Sequence, residues 1–354
     1  MHFANRIVVW QRSDGRHDLP WQKTTDPYKI WLSEIMLQQT QVSTVMGYYA
    51  RFLDRFPDIA SLAQASQDEV MPYWAGLGYY ARARNLHRCA QTLVAEWGGR
   101  FPPTAELIAT LPGIGPSTAA AIAAFAYDEQ TPIMDGNVKR VFTRHFGVEG
   151  DPTRRDVEQR LWALARHEVD VDRVGVLAMP AYTQGLMDLG ATLCTRRQPA
   201  CEQCPVGETC IARQQGRQHE LPTARTRKAV PTRETAMLLI QDPDHVLLTL
   251  RPSPGIWGGL WSLPECAPAD VPSTIVQLCG DQTAHGLPMA AFEHVFTHFR
   301  LRIEPWHVQV AMARLAAVCA PLRWFPRSEL AALGLPAPVR KLLDGMLASD
   351  MMGS

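Results

Sequence analysis

The sequence has no apolar run long enough to span a lipid bilayer and no signal peptide at its start. The longest nearly unbroken apolar run, Thr118 to Tyr127, has about half of the length that a membrane helix needs. Met1 to Arg6 lacks the basic segment, apolar core and cleavage site of a secretory signal. Excess charge is also absent, because 35 basic residues balance 35 acidic ones among 354 residues. These absences predict a cytoplasmic protein and exclude one that holds nucleic acid by bulk charge alone.

A polar segment divides the chain into two regions with different patterns. From Pro27 to about Arg213, apolar residues recur at three- and four-residue steps, which predicts a mainly α region. Arg213 to Pro231 carries five basic residues against one acidic residue and is typical of an interdomain linker. Beyond it, the apolar runs Thr235 to Ile240 and Val246 to Leu250 flank a turn-forming Asp-Pro-Asp sequence, which predicts a β-hairpin. With further strand-like pieces downstream, this region is predicted to be an α+β domain.

Four cysteines lie close together with the spacing C-x6-C-x2-C-x5-C. They are Cys194, Cys201, Cys204 and Cys210. Four thiolates on a short loop can hold either a tetrahedral zinc ion or an iron–sulfur cluster, and the spacing alone leaves both open. Because four protein ligands leave no open coordination position, the predicted role of the bound group is structural.

A glycine turn, Leu111-Pro112-Gly113-Ile114-Gly115, directly precedes a predicted helix start. Backbone amides at a helix N-terminus can bind a phosphate without a charged side chain. A Gly-x-Gly sequence between helices is also common as a plain turn. The phosphate interpretation gains weight from basic residues on both sides of the turn, which are Arg82, Arg84, Arg88, Lys139, Arg140 and Arg144.

Two carboxylates lie in unusual surroundings. Glu34 belongs to an apolar helical stretch, and Asp135 directly precedes another predicted helix. Apolar surroundings favour the neutral form of a glutamate, which suits a general acid that works near pH 7. One protonated and one ionised carboxyl group are the usual equipment for breaking a glycosidic bond. The alternative is a solvent-facing glutamate and a helix-capping aspartate with no shared role.

Together these motifs resemble the helix-hairpin-helix DNA glycosylases that carry a [4Fe-4S] cluster. The resemblance rests on the Leu111 to Gly115 turn, the Asp135 to Arg140 stretch (DGNVKR) and the cysteine tract. Leu32 to Gln41 (LSEIMLQQTQ) and Gly76 to Arg82 (GLGYYAR) are similar to the MutY-type adenine DNA glycosylases of that superfamily. The resemblance extends from about Leu19 to the end of the chain. It implies a [4Fe-4S] cluster instead of zinc, and a Nudix-like α+β domain at the C-terminus.

The resemblance also implies domain boundaries and site residues. The helical catalytic region spans 1–212, with a six-helix barrel at about 23–129 and a cluster-bearing module formed by 1–22 and 130–212. The cluster loop is 194–210, the linker is 213–232 and the Nudix-like domain is 233–346.

Glu34 would protonate adenine and position water, Asp135 would stabilise the cationic sugar, and Asn137 would assist Glu34. The adenine pocket would include Trp21, Ser117 and Gln184. The implied DNA contacts are Gln39, Thr40, Tyr79, Arg82, Gly113, Gly115, Lys139, Phe296, Thr297 and His298, with Tyr79 as a wedge and Gln39 and Thr40 at the base opposite.

Two positions refine the expected reaction. Bifunctional relatives carry a lysine where this chain has Ser117, which cannot form a Schiff base, so the chain is expected to leave an abasic site without cleaving the strand. The Nudix-like region has Gly258-Gly259 but then continues as APADVP, without the acidic cluster that holds magnesium in a Nudix hydrolase. It is expected to recognise 8-oxoguanine through Phe296-Thr297-His298, where the family has Phe-Ser-His.

The favoured hypothesis is a monomeric bacterial, nucleoid-associated enzyme that removes adenine mispaired with 8-oxoguanine or guanine in duplex DNA. A second hypothesis is a glycosylase/lyase for oxidised pyrimidines, which Ser117 and the C-terminal domain argue against. A third is a catalytically silent DNA-binding protein with a cluster. The presence of both Glu34 and Asp135 argues against the third.

Overall fold

The computed structural model describes residues 2–225, 230–311 and 321–352, with side chains described up to residue 346. Arg227 and Lys228 of the predicted linker lie outside the described residues. By its internal contacts the chain divides into two compact units. The first unit comprises residues 1–64 and 85–227, and the second comprises residues 65–84 and 228–354. Within the described ranges, no helix is long and apolar enough to cross a membrane.

The N-terminal two-thirds of the chain is helical, as the sequence predicts. Its helices are α1 (Phe3–Asp14), α2 (Pro27–Leu37), α3 (Val42–Arg55), α4 (Ile59–Gln64), α5 (Gln67–Trp74), α6 (Ala81–Trp97), α7 (Ala105–Ile108), α8 (Pro116–Tyr127), α9 (Gly136–His145), α10 (Arg155–Glu168), α11 (Val171–Val174), α12 (Met179–Asp188) and α13 (Ile211–Gln214). Pro27 at the first position of α2 follows Asp26, whose Oδ1 accepts a 2.9 Å hydrogen bond from the Tyr28 amide. This combination starts α2 at a defined residue and therefore sets the position of Glu34 one helix turn before its end.

The alanine-rich helix α8 lies at the centre of the first unit. Ala119 to Ala124 are buried without exception, and Ala120, Ala121 and Ala124 belong to a core that also contains Phe3, Ile7, Val138 and Tyr182. Small side chains allow neighbouring helices to approach α8 closely, so α1, α9 and α12 share one core with it. This packing brings residues that are far apart in sequence into one region.

Over the residues that the structure describes, the C-terminal region is a mixed sheet with two α-helices, which confirms the predicted α+β class. Its elements are β1 (Thr232–Gln241), β2 (His245–Leu250), β3 (Trp261–Ser262), β4 (Glu265–Cys266), α14 (Val271–Cys279), β5 (Leu287–Pro288), β6 (Phe292–Val295), β7 (Arg300–Gln309), β8 (Leu322–Pro326) and α15 (Ala337–Met352). The predicted hairpin is confirmed, because β1 and β2 pair antiparallel with Gln241 opposite Val246. Strand β1 also pairs in parallel with β7. Alternate residues of β1, Ala236, Leu238 and Ile240, pack with Ile275 of α14 in the core of this domain.

Residues 65–84 belong to the second unit although they lie within the helical part of the sequence. Met71 of α5 packs against Gly334, and the guanidinium of Arg84 donates to the carbonyl oxygen of Gly258. Gly258 lies 174 residues after Arg84, and Gly334 lies still farther from Met71 in the sequence. Residues 65–84 therefore pack with residues on the other side of the predicted boundary at residue 212. The helical periodicity of α5 can be read from neighbouring residues, whereas the residue that α5 packs against lies far away in the sequence.

Candidate active site

A cavity of about 360 Å³ in the first unit gathers several of the residues singled out from the sequence. Trp21, Glu34 and Gln184, which the sequence analysis assigns to catalysis and to the adenine pocket, all line it. Trp21 is buried and packs edge-on against Tyr49 with ring centroids 5.4 Å apart. The cavity therefore combines an aromatic wall, an amide and a carboxyl group, which is the lining expected of a pocket for a flat polar ring.

Glu34 is the acidic residue of this cavity. Burial, together with the nearby charge of Asp135, raises the pKa of its carboxyl group from 4.5 to about 8. The contribution of Asp135 means that the two carboxyl groups are close enough to interact through their charges. At neutral pH the Glu34 carboxyl group is therefore mostly protonated and can donate a proton.

Asp135 caps helix α9. Its Oδ1 accepts a 2.7 Å hydrogen bond from the Val138 amide. Burial raises the pKa of Asp135, while hydrogen bonds from the Val138 and Asn137 amides and the charges of Arg140 and Lys139 lower it. The helix N-terminus thus supplies donors that favour the ionised form of this carboxylate, although burial leaves its pKa raised overall.

The orientation of Gln184 depends on a buried ionic pair that the sequence analysis missed. Asp188, which is fully buried, accepts hydrogen bonds from the Gln184 side-chain amide at 2.8 Å and from Arg16 through its main-chain N at 2.9 Å and its Nε at 2.7 Å. The four-residue spacing of Gln184 and Asp188 on α12 is a signal that they share a helix face. Nothing in the sequence points to Arg16, which is 172 residues away from Asp188.

Asn137 connects α9 to the start of the cysteine loop. Its Oδ1 accepts a 2.9 Å hydrogen bond from Arg140 Nη2, and the same guanidinium donates to the carbonyl oxygens of Gly190 at 2.6 Å and Cys194 at 2.7 Å. Asn137 does not appear among the residues that line the cavity.

Ser117, which is also predicted to belong to the adenine pocket, makes a hydrogen bond beside Asp135. It is not among the cavity-lining residues, and its Oγ accepts a 2.9 Å hydrogen bond from the Met134 amide, directly before Asp135. The hydroxyl group therefore holds the chain that carries Asp135 against the start of α8.

The glycine turn before α8 has the predicted conformation of a tight turn. Gly113 has φ +76°, and a Cβ at this position would lie 2.5 Å from Cβ of Asn85. Both the dihedral angle and the close approach require glycine. Gly115 is the N-cap residue of α8 with Pro116 at its first position, so the first amides of α8 have no intrahelical partner and can donate to a ligand.

Two of the basic residues that flank this turn in the sequence, Lys139 and Arg82, have contacts within the protein. Lys139 forms a 2.5 Å ion pair with Glu158. The Arg82 guanidinium donates to the carbonyl oxygens of Leu77 at 3.1 Å and Gly78 at 3.2 Å, and burial lowers the pKa of Arg82 to about 10. These two residues therefore have structural contacts in addition to their predicted DNA contacts.

Gln39 and Thr40 follow the end of α2. Gln39 is exposed, with φ +58°, and the Thr40 amide donates to the carbonyl oxygen of Leu37 at 3.2 Å. A left-handed residue directly after a helix turns the chain sharply, and this turn presents the Gln39 side chain to solvent. The position suits a contact with a partner molecule.

In the second unit, Tyr79 contacts the loop predicted to recognise 8-oxoguanine. Tyr79 has φ +49°, its side chain is 45% exposed, and its hydroxyl oxygen lies 2.8 Å from Thr297 Oγ1. Phe296 stacks on Phe299 with centroids 4.5 Å apart, which supports this loop from within, and Thr297 and His298 are exposed. The predicted wedge and two predicted recognition residues therefore occupy one surface of this unit.

The four clustered cysteines line one cavity in the first unit. Burial, together with the nearby sulfurs of Cys194, Cys210 and Cys201, raises the pKa of Cys204 to about 11 against the lowering effect of a backbone hydrogen bond from Val206. Among the described residues, no group of three or more His, Cys, Asp or Glu side chains could hold a single metal ion. The four cysteines line a common space.

Comparisons with known proteins agree with the division of the chain into a helical part and a C-terminal α+β part. A family profile described as HhH-GPD superfamily base excision DNA repair protein matches residues 32–167, and a NUDIX domain profile matches residues 235–345. The chain is 32% identical to the adenine DNA glycosylase of Buchnera aphidicola subsp. Schizaphis graminum over 97% of this chain and 98% of that protein. It is 31% identical to the human adenine DNA glycosylase over 99% of this chain and 76% of the human protein. The structure of a thermostable thymine-DNA glycosylase, 29% identical, aligns with a TM-score of 0.53 over 60% of this chain and 95% of that one.

Proposed function

Because the chain belongs to the adenine DNA glycosylase family, we propose that it removes adenine mispaired with 8-oxoguanine or guanine in duplex DNA and leaves an abasic site. The observation that carries the proposal is Glu34, a carboxyl group with a raised pKa in a cavity that Trp21 and Gln184 also line. A base inside a duplex cannot reach such a cavity, so adenine must first be extruded from the helix at a cost of a few kcal/mol.

In the proposed reaction, the Glu34 carboxyl group gives its proton to a ring nitrogen of adenine. The bond between C1′ and N9 then breaks, the electron pair leaves with the base, and positive charge develops on the sugar. The Asp135 carboxylate stabilises this charge electrostatically. Water adds to C1′ and returns a proton to Glu34, which restores the starting protonation state. Gln184, whose amide is oriented by Asp188, would contact the base.

The remaining predicted residues have supporting roles in this proposal. Asn137 would link α9 to the start of the cysteine loop through Arg140. The amides at Gly113 and Gly115 would hold a DNA phosphate. Tyr79 would enter the base stack while Gln39, Thr40 and the Phe296 to His298 loop contact the opposite base. The methyl group of Thr297 occupies space that serine would leave open.

We also propose that Cys194, Cys201, Cys204 and Cys210 hold a [4Fe-4S] cluster. Four cysteine thiolates around one space are the ligand set of such a cluster, and these four side chains line a single cavity. When bound, the cluster supplies a crosslink between the ends of the loop, with no open position for substrate.

A single-turnover assay on a duplex with adenine opposite 8-oxoguanine tests the proposed function. Free adenine should be released, and the strand should break only after alkali treatment. A matched duplex with adenine opposite thymine should release none. Strand cleavage without alkali would contradict the monofunctional assignment, and tight binding without release would contradict the proposed enzyme activity.

The proposed mechanism predicts that excision depends on pH with two limbs. The reactive form has protonated Glu34 and ionised Asp135. Activity should therefore fall as pH rises through about 8, where Glu34 loses its proton. It should also fall on the acidic side at a pH above the ordinary pKa of 3.8 for aspartate, because the pKa of Asp135 is raised. The rate of the chemical step should be measured under single-turnover conditions from pH 4.5 to 9.5. A rate that does not fall above pH 8 would contradict the role of Glu34 as the acid.

A further inference from the structure

Arg144 is a buried arginine whose side chain enters the cavity of the four cysteines. It belongs to α9, it is only 3% exposed, and it lines the same cavity as Cys194, Cys201, Cys204 and Cys210. The sequence analysis counted it with basic residues that flank a phosphate-binding turn. Its burial removes it from that role, because a side chain this enclosed cannot reach a DNA phosphate.

The guanidinium of Arg144 makes four hydrogen bonds that close the cysteine loop. Nη1 donates to Cys194 Sγ at 3.3 Å and to the carbonyl oxygen of Thr195 at 2.7 Å. Nη2 donates to the carbonyl oxygen of Arg196 at 3.2 Å, and Nε donates to that of Leu221 at 2.9 Å. One side chain therefore joins the first cysteine of the loop to a residue that lies beyond the last cysteine.

The acceptors of Arg144 include no carboxylate among the described residues. They are three carbonyl oxygens and one sulfur. Arg140, whose guanidinium donates to the carbonyl oxygens of Cys194 and Gly190, adds a second positive charge nearby. A buried guanidinium is stable only with compensating charge or a complete set of acceptors. Thiolates that bind iron carry negative charge, whereas the free thiols do not.

We propose that Arg144 is the positioning residue and counter-charge of the iron–sulfur cluster. It holds the Cys194 sulfur in place and joins the two ends of the loop, and its positive charge stabilises the cluster with its thiolate ligands. A hydrogen bond to a ligand sulfur and a nearby cation both favour the more reduced state of a cluster. Arg144 therefore sets the reduction potential of the cluster as well as its retention. This inference rests on the proposed [4Fe-4S] cluster.

Two substitutions separate the effect of the positive charge of Arg144 from the effect of its hydrogen bonds. Arg144→Gln removes the charge and keeps a shorter donor, whereas Arg144→Lys keeps the charge but cannot make all four hydrogen bonds. Arg154→Gln is the matched control, because Arg154 is an exposed arginine of the same unit whose ion-pair partner is Asp156. The full-length chains are compared by iron content per chain, by the rate of cluster loss to an iron chelator, and by the midpoint potential of the one-electron couple of the cluster.

Both Arg144 variants should lose the cluster to chelator at least tenfold faster than the Arg154→Gln control. The Gln variant should also have a more negative midpoint potential, by ~59 mV if the equilibrium constant for reduction falls tenfold. The Lys variant should remain close to the parent potential. If Arg144→Gln does not retain iron, the outcome is decided by the rate at which Arg144→Lys loses its cluster to the chelator. Parent-like potential and chelator rate in both variants would overturn the inference, whereas a parent chain without iron would overturn the proposed cluster.

Discussion

Replacement of Glu34 by Gln is expected to reduce adenine excision by at least ~100-fold while binding to mispaired DNA is preserved, since general acid catalysis contributes roughly 10²–10⁴-fold. Glutamine matches the shape of protonated Glu34 and can still donate a hydrogen bond, but it has no proton to transfer. The measurement is a single-turnover rate on the 8-oxoguanine duplex together with an equilibrium binding isotherm for the same duplex. Glu106→Gln, at an exposed position of the same unit, is the control for a generic loss of negative charge.

The same variant should also be more stable than the parent chain above pH 4.5. The unfolded chain ionises Glu34 near its ordinary pKa of 4.5, whereas the folded chain does so near 8. Between these values the folded state binds more protons than the unfolded state, so its stability falls as pH rises. Gln at position 34 removes this loss, and its melting temperature should exceed that of the parent at pH 8 but not at pH 4.5. Equal melting temperatures at pH 8 would mean that the Glu34 carboxyl group is not destabilised by burial, and normal excision by Glu34→Gln would remove it from catalysis.

Replacement of Asp135 by Asn is expected to reduce excision by roughly 10²–10³-fold, the range measured when a single electrostatic contact to a transition state is removed. Asparagine keeps the hydrogen-bond acceptor that caps α9 through the Val138 amide, and Asn and Asp are about equally good N-cap residues. The folded state should therefore be preserved, because the substitution removes only the negative charge that the proposed mechanism requires. The measurement is the single-turnover rate, with urea denaturation as the check on folding.

Asp135→Ala separates the two uses of this carboxylate. It should lose excision to a similar extent and, in addition, about 1 kcal/mol of stability, because the cap of α9 is removed. If Asp135→Asn is as active as the parent and only Asp135→Ala is impaired, then Asp135 acts as a helix cap and not through its charge.

The sequence predicts local features of this protein well. Apolar periodicity predicts the helices, and the Asp-Pro-Asp turn predicts the β1–β2 hairpin, because both depend on neighbours within a few residues. The motif around Glu34 leads to the carboxyl group that lines the cavity with Trp21 and Gln184. The roles of these residues remain predictions.

Long-range partners could not be predicted in the same way. A basic residue in the sequence carries no information about which acceptor it will meet. Lys139 and Arg144 look alike beside a glycine turn, but Lys139 pairs with Glu158, and Arg144 turns inward to the cysteine loop. The sequence shows that Ser117 stands where bifunctional relatives carry a lysine, but its hydrogen bond from the Met134 amide depends on how α8 packs. The Asp188 and Arg16 pair likewise exists only because the folded chain brings its N-terminus to α12.

Residues 65–84 limit how modular this protein can be. The chain passes between its two units near residues 64, 84 and 227, so the C-terminal unit is completed by a segment from the middle of the helical sequence. A fragment cut within the linker would keep Met71 but lose Gly334, its packing partner, and would expose apolar surface that is otherwise covered. A recognition domain from a relative would fit only if its surface matched this segment. The Nudix-like domain therefore cannot be transferred to another protein without residues 65–84. Substitutions around Met71 and Gly334 must remain compatible with each other for the domain to keep Tyr79 beside Thr297.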